Sequence, residues 1–150
     1  MKIKMIKFRD DLIPPVRAHY NDAGIDCFAQ DNFVLYGDKE FIDGLLIPLG
    51  FGLEIPDGYM AVIKPRSSMN IKGIITQIGT IDSGYKGEIK AYFINTTQNE
   101  YRFKRGDKIC QIVIEPVILA DIVEKLGEER GEGGFGSTNA KGEGKTIKAL

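Results

Sequence analysis

Apolar residues recur along this chain in short runs, and turn-forming residues interrupt them every few positions. Residues 2–8, 25–28, 33–36, 45–47, 51–55, 59–64, 74–78, 88–95, 101–103 and 108–115 are rich in β-branched and aromatic side chains and predict strands. Pro14-Pro15, Asp43-Gly44, Pro56-Asp57-Gly58, Ser83-Gly84 and Arg105-Gly106-Asp107 stand between them, and each is turn chemistry. Strands this short and this regularly punctuated predict an all-β sandwich or barrel. No βαβ alternation and no internal repeat is evident. One stretch reads differently: Leu119, Ile122, Val123 and Leu126 fall at helical spacing ahead of Gly127, which predicts two amphipathic turns of helix. Beyond it the chain is rich in glycine and charge. A core over 1–127 and a flexible C-terminal arm over 128–150, part of the same domain, are therefore expected.

At 150 residues the chain is one domain long, enough to bury roughly 68–70% of its unfolded surface. The formal net charge of −1 supplies no global field, so neither nucleic acid nor a membrane is expected as a partner, and a polyanion must be held by local cations. No apolar stretch approaches a bilayer span, and the opening MKIKMIKF alternates lysine with apolar residues instead of forming a signal-peptide core, so a cytoplasmic location is expected. Cys27 and Cys110 are far apart and His19 is the sole histidine, which argues against a thiolate or imidazole metal cage. Both cysteines are expected to be buried small hydrophobes. With imidazole scarce, carboxylates lead as candidates for proton transfer.

Five clusters carry candidate chemistry. AGIDCFA, residues 23–29, sets Asp26 in an apolar run, where an unpaired carboxylate is costly and an arginine partner is the plain structural explanation. PRSS, 65–68, puts Arg66 beside Ser67 and Ser68 just after a strand, where a short helical turn would aim N–H groups at an oxyanion. GTIDSGYKGEI, 79–89, presents Asp82 and Tyr85 across a tight turn leading into a β run, consistent with a hairpin; the plain alternatives are a turn-former and a packing ring. KICQIVIE, 108–115, holds Gln111 in an apolar run, otherwise a satisfied core amide. RGEGGFGSTN, 130–139, has G-x-G-x-x-G spacing, but it follows no βαβ unit and lacks the lysine of a P-loop. Its glycine N–H groups, Arg130 and Phe135 suit phosphates and a base.

In this order and over this length the five clusters resemble the motifs of the trimeric dUTP diphosphatase (dUTPase) family, with RGDKICQ, 105–111, as the fourth. Ser68 and Asn139 stand where that family usually has glycine. The resemblance implies a distorted jelly-roll β-barrel, homotrimeric, whose active sites are shared between subunits, with residues 119–126 extended to carry the arm to a neighbour. It implies hydrolysis of dUTP to dUMP and pyrophosphate by water attack at the α-phosphorus. That reaction limits uracil in DNA and supplies dUMP for thymidylate. In this resemblance Asp82 is the general base and Gln111 orients the water or an α-phosphate oxygen. Arg66, Ser67 and Ser68 serve the phosphates, Tyr85 excludes a 2′-hydroxyl, and the backbone at Ile78 and Gly79 reads the uracil edge. Arg130 clamps the γ-phosphate, Phe135 stacks on the base, and Gly136 and Ser137 complete the substrate contacts. Mg²⁺ bridges the triphosphate and is reached by Asp26 through water. Three other readings compete. They are a dCTP deaminase of the same fold, a nucleotide-sensing module that regulates a partner, and a single-strand nucleic-acid binder on a β-barrel.

Overall fold

The computed structural model describes residues 1–37 and 44–126. Its chain divides into two compact units, Met1–Ile118 and Leu119–Leu150. The first unit is built almost wholly of strands: β1 Lys4–Lys7, β2 Ile25–Phe28, β3 Phe33–Leu35, β4 Gly44–Pro48, β5 Phe51–Glu54, β6 Tyr59–Lys64, β7 Ile74–Thr76, β8 Gly79–Ile81, β9 Lys90–Asn95, β10 Tyr101–Phe103 and β11 Lys108–Pro116. One short helix, α1 Ser67–Ile71, interrupts them. Every strand expected from the hydrophobic pattern is present, with ends that agree to within two residues. Only β8 is additional.

A four-stranded sheet in the order β2-β11-β6-β8 and a three-stranded sheet in the order β4-β9-β7 are joined by the pairs β1-β5 and β10-β3. Every pairing is antiparallel. Most partners are distant in sequence, the arrangement of a distorted jelly-roll barrel. Both larger sheets turn alternate side chains inward to one apolar cluster: Cys27, Ile63, Ile81, Cys110 and Ile112 from the first meet Ile47, Ile74, Ala91 and Phe93 from the second. Phe33 caps this core, stacked on Phe103 at 4.7 Å and near Phe93 at 6.2 Å between ring centroids. Cys27 and Cys110 are free, buried and directly opposite each other across β2 and β11. The neighbouring Cys110 thiol and burial together push the Cys27 thiol well above its usual range, which keeps Cys27 an inert core group.

Two sequence expectations fail. Residues 79–89 do not form a hairpin, because β8 pairs with β6 and β9 with β4 and β7, so the turn after Ile81 carries the chain from one sheet to the other. Nor do residues 119–126 form a helix. Leu119, Ile122 and Leu126 are at least 80% exposed; a segment this short is marginal as a helix without a surface to cover its apolar stripe, and periodicity alone does not hold it. Among the described residues no helix is long and apolar enough to cross a membrane.

Outside the ladders, Arg9 ties the N-terminal segment to the β2–β3 loop. Its guanidinium donates to Asp11 at 2.7 Å and to Asp31 at 2.8 Å, and these bonds hold both carboxyls below their usual range. A carboxyl with a depressed folded-state pKa stabilises the fold above its unfolded pKa of about 3.9, and that stability is lost as pH falls through the folded value. Arg9→Ala is therefore expected to melt below the wild type at neutral pH. The gap should close as pH drops beneath about 4, followed by circular dichroism; a gap that stays constant into acid would contradict the pairing.

Candidate active site

The pairing of β11 with both β2 and β6 builds one group of polar side chains. Gln111 lies opposite Asp26 on one side and Lys64 on the other. Asp26 and Gln111 alternate with buried Cys27 and Cys110, so both point away from the core. That resolves the carboxylate in an apolar strand: Asp26 is half-buried, and its partner is Lys108, Nζ to Oδ2 at 2.7 Å, a lysine where an arginine was the expected kind of partner. Gln111 Nε2 donates to the Pro65 carbonyl at 3.0 Å, and Arg66 Nη1 donates to the Lys108 carbonyl at 2.8 Å. These bonds dock the PRSS segment on β11.

Past Pro65 the chain turns into α1. Arg66 is the extended N-cap, its carbonyl accepting from Met69 and Asn70, and buried Met69 anchors the turn. The helix stops after one turn because Gly73, at φ 80°, takes the left-handed conformation that closes it. Ser67 and Ser68 are left exposed on its first turn. Beside α1 lies a cavity of about 270 Å³ whose walls include Arg66, Ser68, Lys72, Arg102 and Lys108, facing the single acid Asp107. This concentration of cations suits an anion.

A second group forms at the sheet edge. Among the described residues β8 pairs only with β6, which leaves its other side without a strand partner there. Asp82, Ser83, Gly84 and Tyr85 form a turn closed by Tyr85 N donating to the Asp82 carbonyl at 3.1 Å. A cleft of about 310 Å³ opens here, lined by Ile63, Gly79, Asp82, Tyr85, Glu88 and Lys90 among others, a volume at the lower end of ligand sites. Asp82 is exposed and Ile78 is 65% exposed. The Tyr85 ring is fixed from two directions. Its hydroxyl donates to the Glu88 carbonyl at 2.8 Å, and the ring lies so close to Gly87 that a Cβ there would stand 2.6 Å from the hydroxyl and 2.7 Å from Cζ.

The sequence-predicted residues thus fall into two clusters: Asp26, Arg66, Ser67, Ser68 and Gln111 in one, Ile78, Gly79, Asp82 and Tyr85 in the other. Arg130, Phe135, Gly136 and Ser137 lie outside the described residues. The sequence does not single out Lys108 or Gly87, although both sit inside quoted motifs, because their partners come from tertiary contact. The two clusters do not meet. By register Asp82 is level with Met60 and Gln111 with Lys64. Four residues along β6 and two inter-strand spacings across put them on the order of 16 Å apart.

A jelly-roll barrel with a cleft of about 310 Å³ at one sheet edge and a cation-lined cavity where α1 meets β11 is the class that the geometry defines. Known proteins narrow it. The dUTPase family matches residues 11–139. Deoxyuridine 5′-triphosphate nucleotidohydrolase of Hydrogenobaculum sp. is 37% identical over 147 residues, 94% of this chain and 100% of its own. The enzyme of the same name from Clostridium tetani is 40% identical over 144 residues, 92% of this chain and 95% of its own. Among solved structures, the dUTPase of Staphylococcus bacteriophage 80alpha with dUPNHPP superposes with a TM-score of 0.75 at 26% identity, covering 91% of this chain and 97% of that one. The chain belongs to the dUTPase family.

Gly87→Ala is expected to push the Tyr85 ring off the Glu88 carbonyl with little loss of stability, since only the end of one side chain must move. The Tyr85 ring resonances of tyrosine-labelled protein report it; unchanged resonances would mean that the ring is held by something other than the bare Cα of Gly87.

Proposed function

We propose that the protein hydrolyses dUTP to dUMP and pyrophosphate at sites shared between copies of the chain. The observation that carries this reading is the cleft at β8, where an exposed carboxylate, a fixed aromatic ring and a backbone edge with no strand partner among the described residues converge. An unpaired strand edge offers alternating N–H and C=O groups, the pattern that the acceptor–donor–acceptor edge of uracil matches. Backbone at Ile78 and Gly79 takes that edge, and the bare Cα of Gly79 leaves room beside Ile63, 3.7 Å from where a Cβ would stand. Tyr85 packs under the deoxyribose and leaves no space for a 2′-hydroxyl. Thymine is rejected by a clash with its methyl, because an apolar pocket would otherwise favour that methyl by about 1–3 kcal/mol.

Asp82 takes a proton from the attacking water as its oxygen bonds to the α-phosphorus, and the bond to the bridging oxygen breaks to release pyrophosphate. Gln111 holds the water or an α-phosphate oxygen, Ser67 and Ser68 donate to the leaving group, and Arg66 supports that turn. In-line placement and charge stabilisation supply most of the rate in such a displacement. The same water cannot touch Asp82 and Gln111 of one chain, since reacting atoms must approach to about 3–3.5 Å. A neighbouring copy therefore supplies one of the two. An apolar outer face supports such association: Leu46 opposite Tyr92 and Ile75 opposite Ile94 turn away from the core on the three-stranded sheet, with Leu46 52% and Ile75 48% exposed. The assembly is a homotrimer. The arm beyond residue 127 brings Arg130 to the γ-phosphate and Phe135 to the base of a neighbour's site, with Gly136 and Ser137 on the substrate.

Mg²⁺ fits as a companion of the triphosphate. Among the described residues no group of three or more His, Cys, Asp or Glu side chains is placed to cage a cation, whereas Asp26 offers one carboxylate beside the phosphate cluster. A hard ion that keeps its waters needs no more, and when bound it neutralises the triphosphate oxygens.

Asp82→Asn is expected to lower kcat by about 10²–10⁴-fold while a non-hydrolysable dUTP analogue still binds. Pyrophosphate release by the unaltered protein should be strong with dUTP and weak with dTTP, dCTP and UTP. Retained turnover in the variant would remove Asp82 from its role; ammonia release from dCTP would replace the reading with deamination.

A further inference from the structure

Gly24 precedes Asp26 by two residues on the way into β2 and lies against the Gln111 side chain. The positive-φ glycines among the described residues are Gly50, Gly58, Gly73 and Gly106. Gly24 is not one of them, so its backbone would accept an L side chain and conformational freedom does not explain the residue. Space does. A Cβ at position 24 would overlap Gln111 Oε1 and stand 2.9 Å from its Cδ, yet lie an ordinary 3.4 Å from its Cβ. Only the carboxamide end of Gln111 occupies the room that Gly24 leaves.

We infer that Gly24 is a positioning residue for the hydrolytic water, acting through Gln111. The carboxamide has two ends and the fold fixes both. Nε2 is committed to the Pro65 carbonyl at 3.0 Å, and Oε1 rests against the bare Cα of Gly24. One N–H of the amide is spent on Pro65 and orients the group; the oxygen is its acceptor for a water proton, and the location of that oxygen is set by contact with Gly24. An alanine methyl there needs no backbone shift, because the atom it meets is the tip of a long side chain that escapes by rotating. That rotation breaks the bond to Pro65 and swings Oε1 away. The change is mild for the fold and severe for a group whose value lies in placement, since a displacement of about 1 Å can cost on the order of 100-fold in rate.

This inference rests on the role given to Gln111 above, and a double-mutant cycle separates the two. Gly24→Ala, Gln111→Ala and the double variant are assayed for dUTP hydrolysis, for Kd of a non-hydrolysable dUTP analogue, and for melting temperature. Gly24→Ala is expected to lower kcat by roughly 10- to 100-fold, with KM and Kd within a few-fold of the unaltered protein and melting little changed. In the Gln111→Ala background the same substitution should have no further effect on kcat, because the side chain it displaces is gone. If Gln111→Ala keeps full kcat, the role of Gln111 fails and this inference with it. If Gln111→Ala is impaired but Gly24→Ala is not, or if the two losses multiply in the double variant, the inference alone is overturned. It is overturned equally if Gly24→Ala loses its cooperative melting transition, which would mean that the space at 24 serves packing.

Discussion

Strand β11 is bonded on both sides at once, to β2 through Cys27 and Asp26 and to β6 from Lys64 to Tyr59. On that double pairing the polar cluster around Gln111 depends. It places Asp26 and Lys64 on either flank of Gln111, brings Lys108 within 2.7 Å of the Asp26 carboxylate, and sets the Pro65 and Lys108 carbonyls where Gln111 and Arg66 donate to them. The inward side of the same ladder carries Cys27, Ile63, Cys110 and Ile112. Because side chains alternate strictly along a strand, a one-residue slip would turn the polar cluster into the core and the core into water. The register that buries the apolar face is thus the register that assembles the site.

The same pairing also limits what one chain can do. β8 is added to the far edge of this sheet, and its antiparallel register carries Asp82 toward the Met60 end of β6, while Gln111 stays at the Lys64 end. Strand geometry fixes that separation, and no side-chain rotation closes it. A nucleotide whose base lies at β8 meets its phosphate ligands only if a second surface faces it. On the proposed reading, association and catalysis are one requirement, and the apolar residues on the outer face of the β4-β9-β7 sheet fit it.

The strands were legible because β-branched and aromatic residues gather into short runs bounded by turn residues, as in YMAVIK and KICQIVIE. β8 was not legible: three residues beginning with glycine, Gly79–Ile81, hold too little pattern, and merging them with the β run at 88–95 suggested a hairpin that the sheets do not form. The helical spacing at 119–126 misled for the opposite reason, being a genuine stripe with nothing to cover it. Motif order singled out Asp26, Arg66, Asp82, Tyr85 and Gln111 as candidates. It carried none of the contacts that orient them. That Lys108 pairs with Asp26, that Gly87 lies under the Tyr85 ring and that Gly24 makes room for Gln111 are facts of tertiary placement, and a glycine whose task is to be absent leaves no local signal.

The division of the site between copies is tested most directly by complementation. Chains bearing Asp82→Asn and chains bearing Gln111→Ala, each nearly inactive alone, are mixed in equal amounts, unfolded and refolded together. If each site takes Asp82 from one copy and Gln111 from another, random assortment restores both residues in about a quarter of the sites, and dUTP hydrolysis returns to about that fraction of the unaltered rate. A mixture no more active than its components would contradict the account.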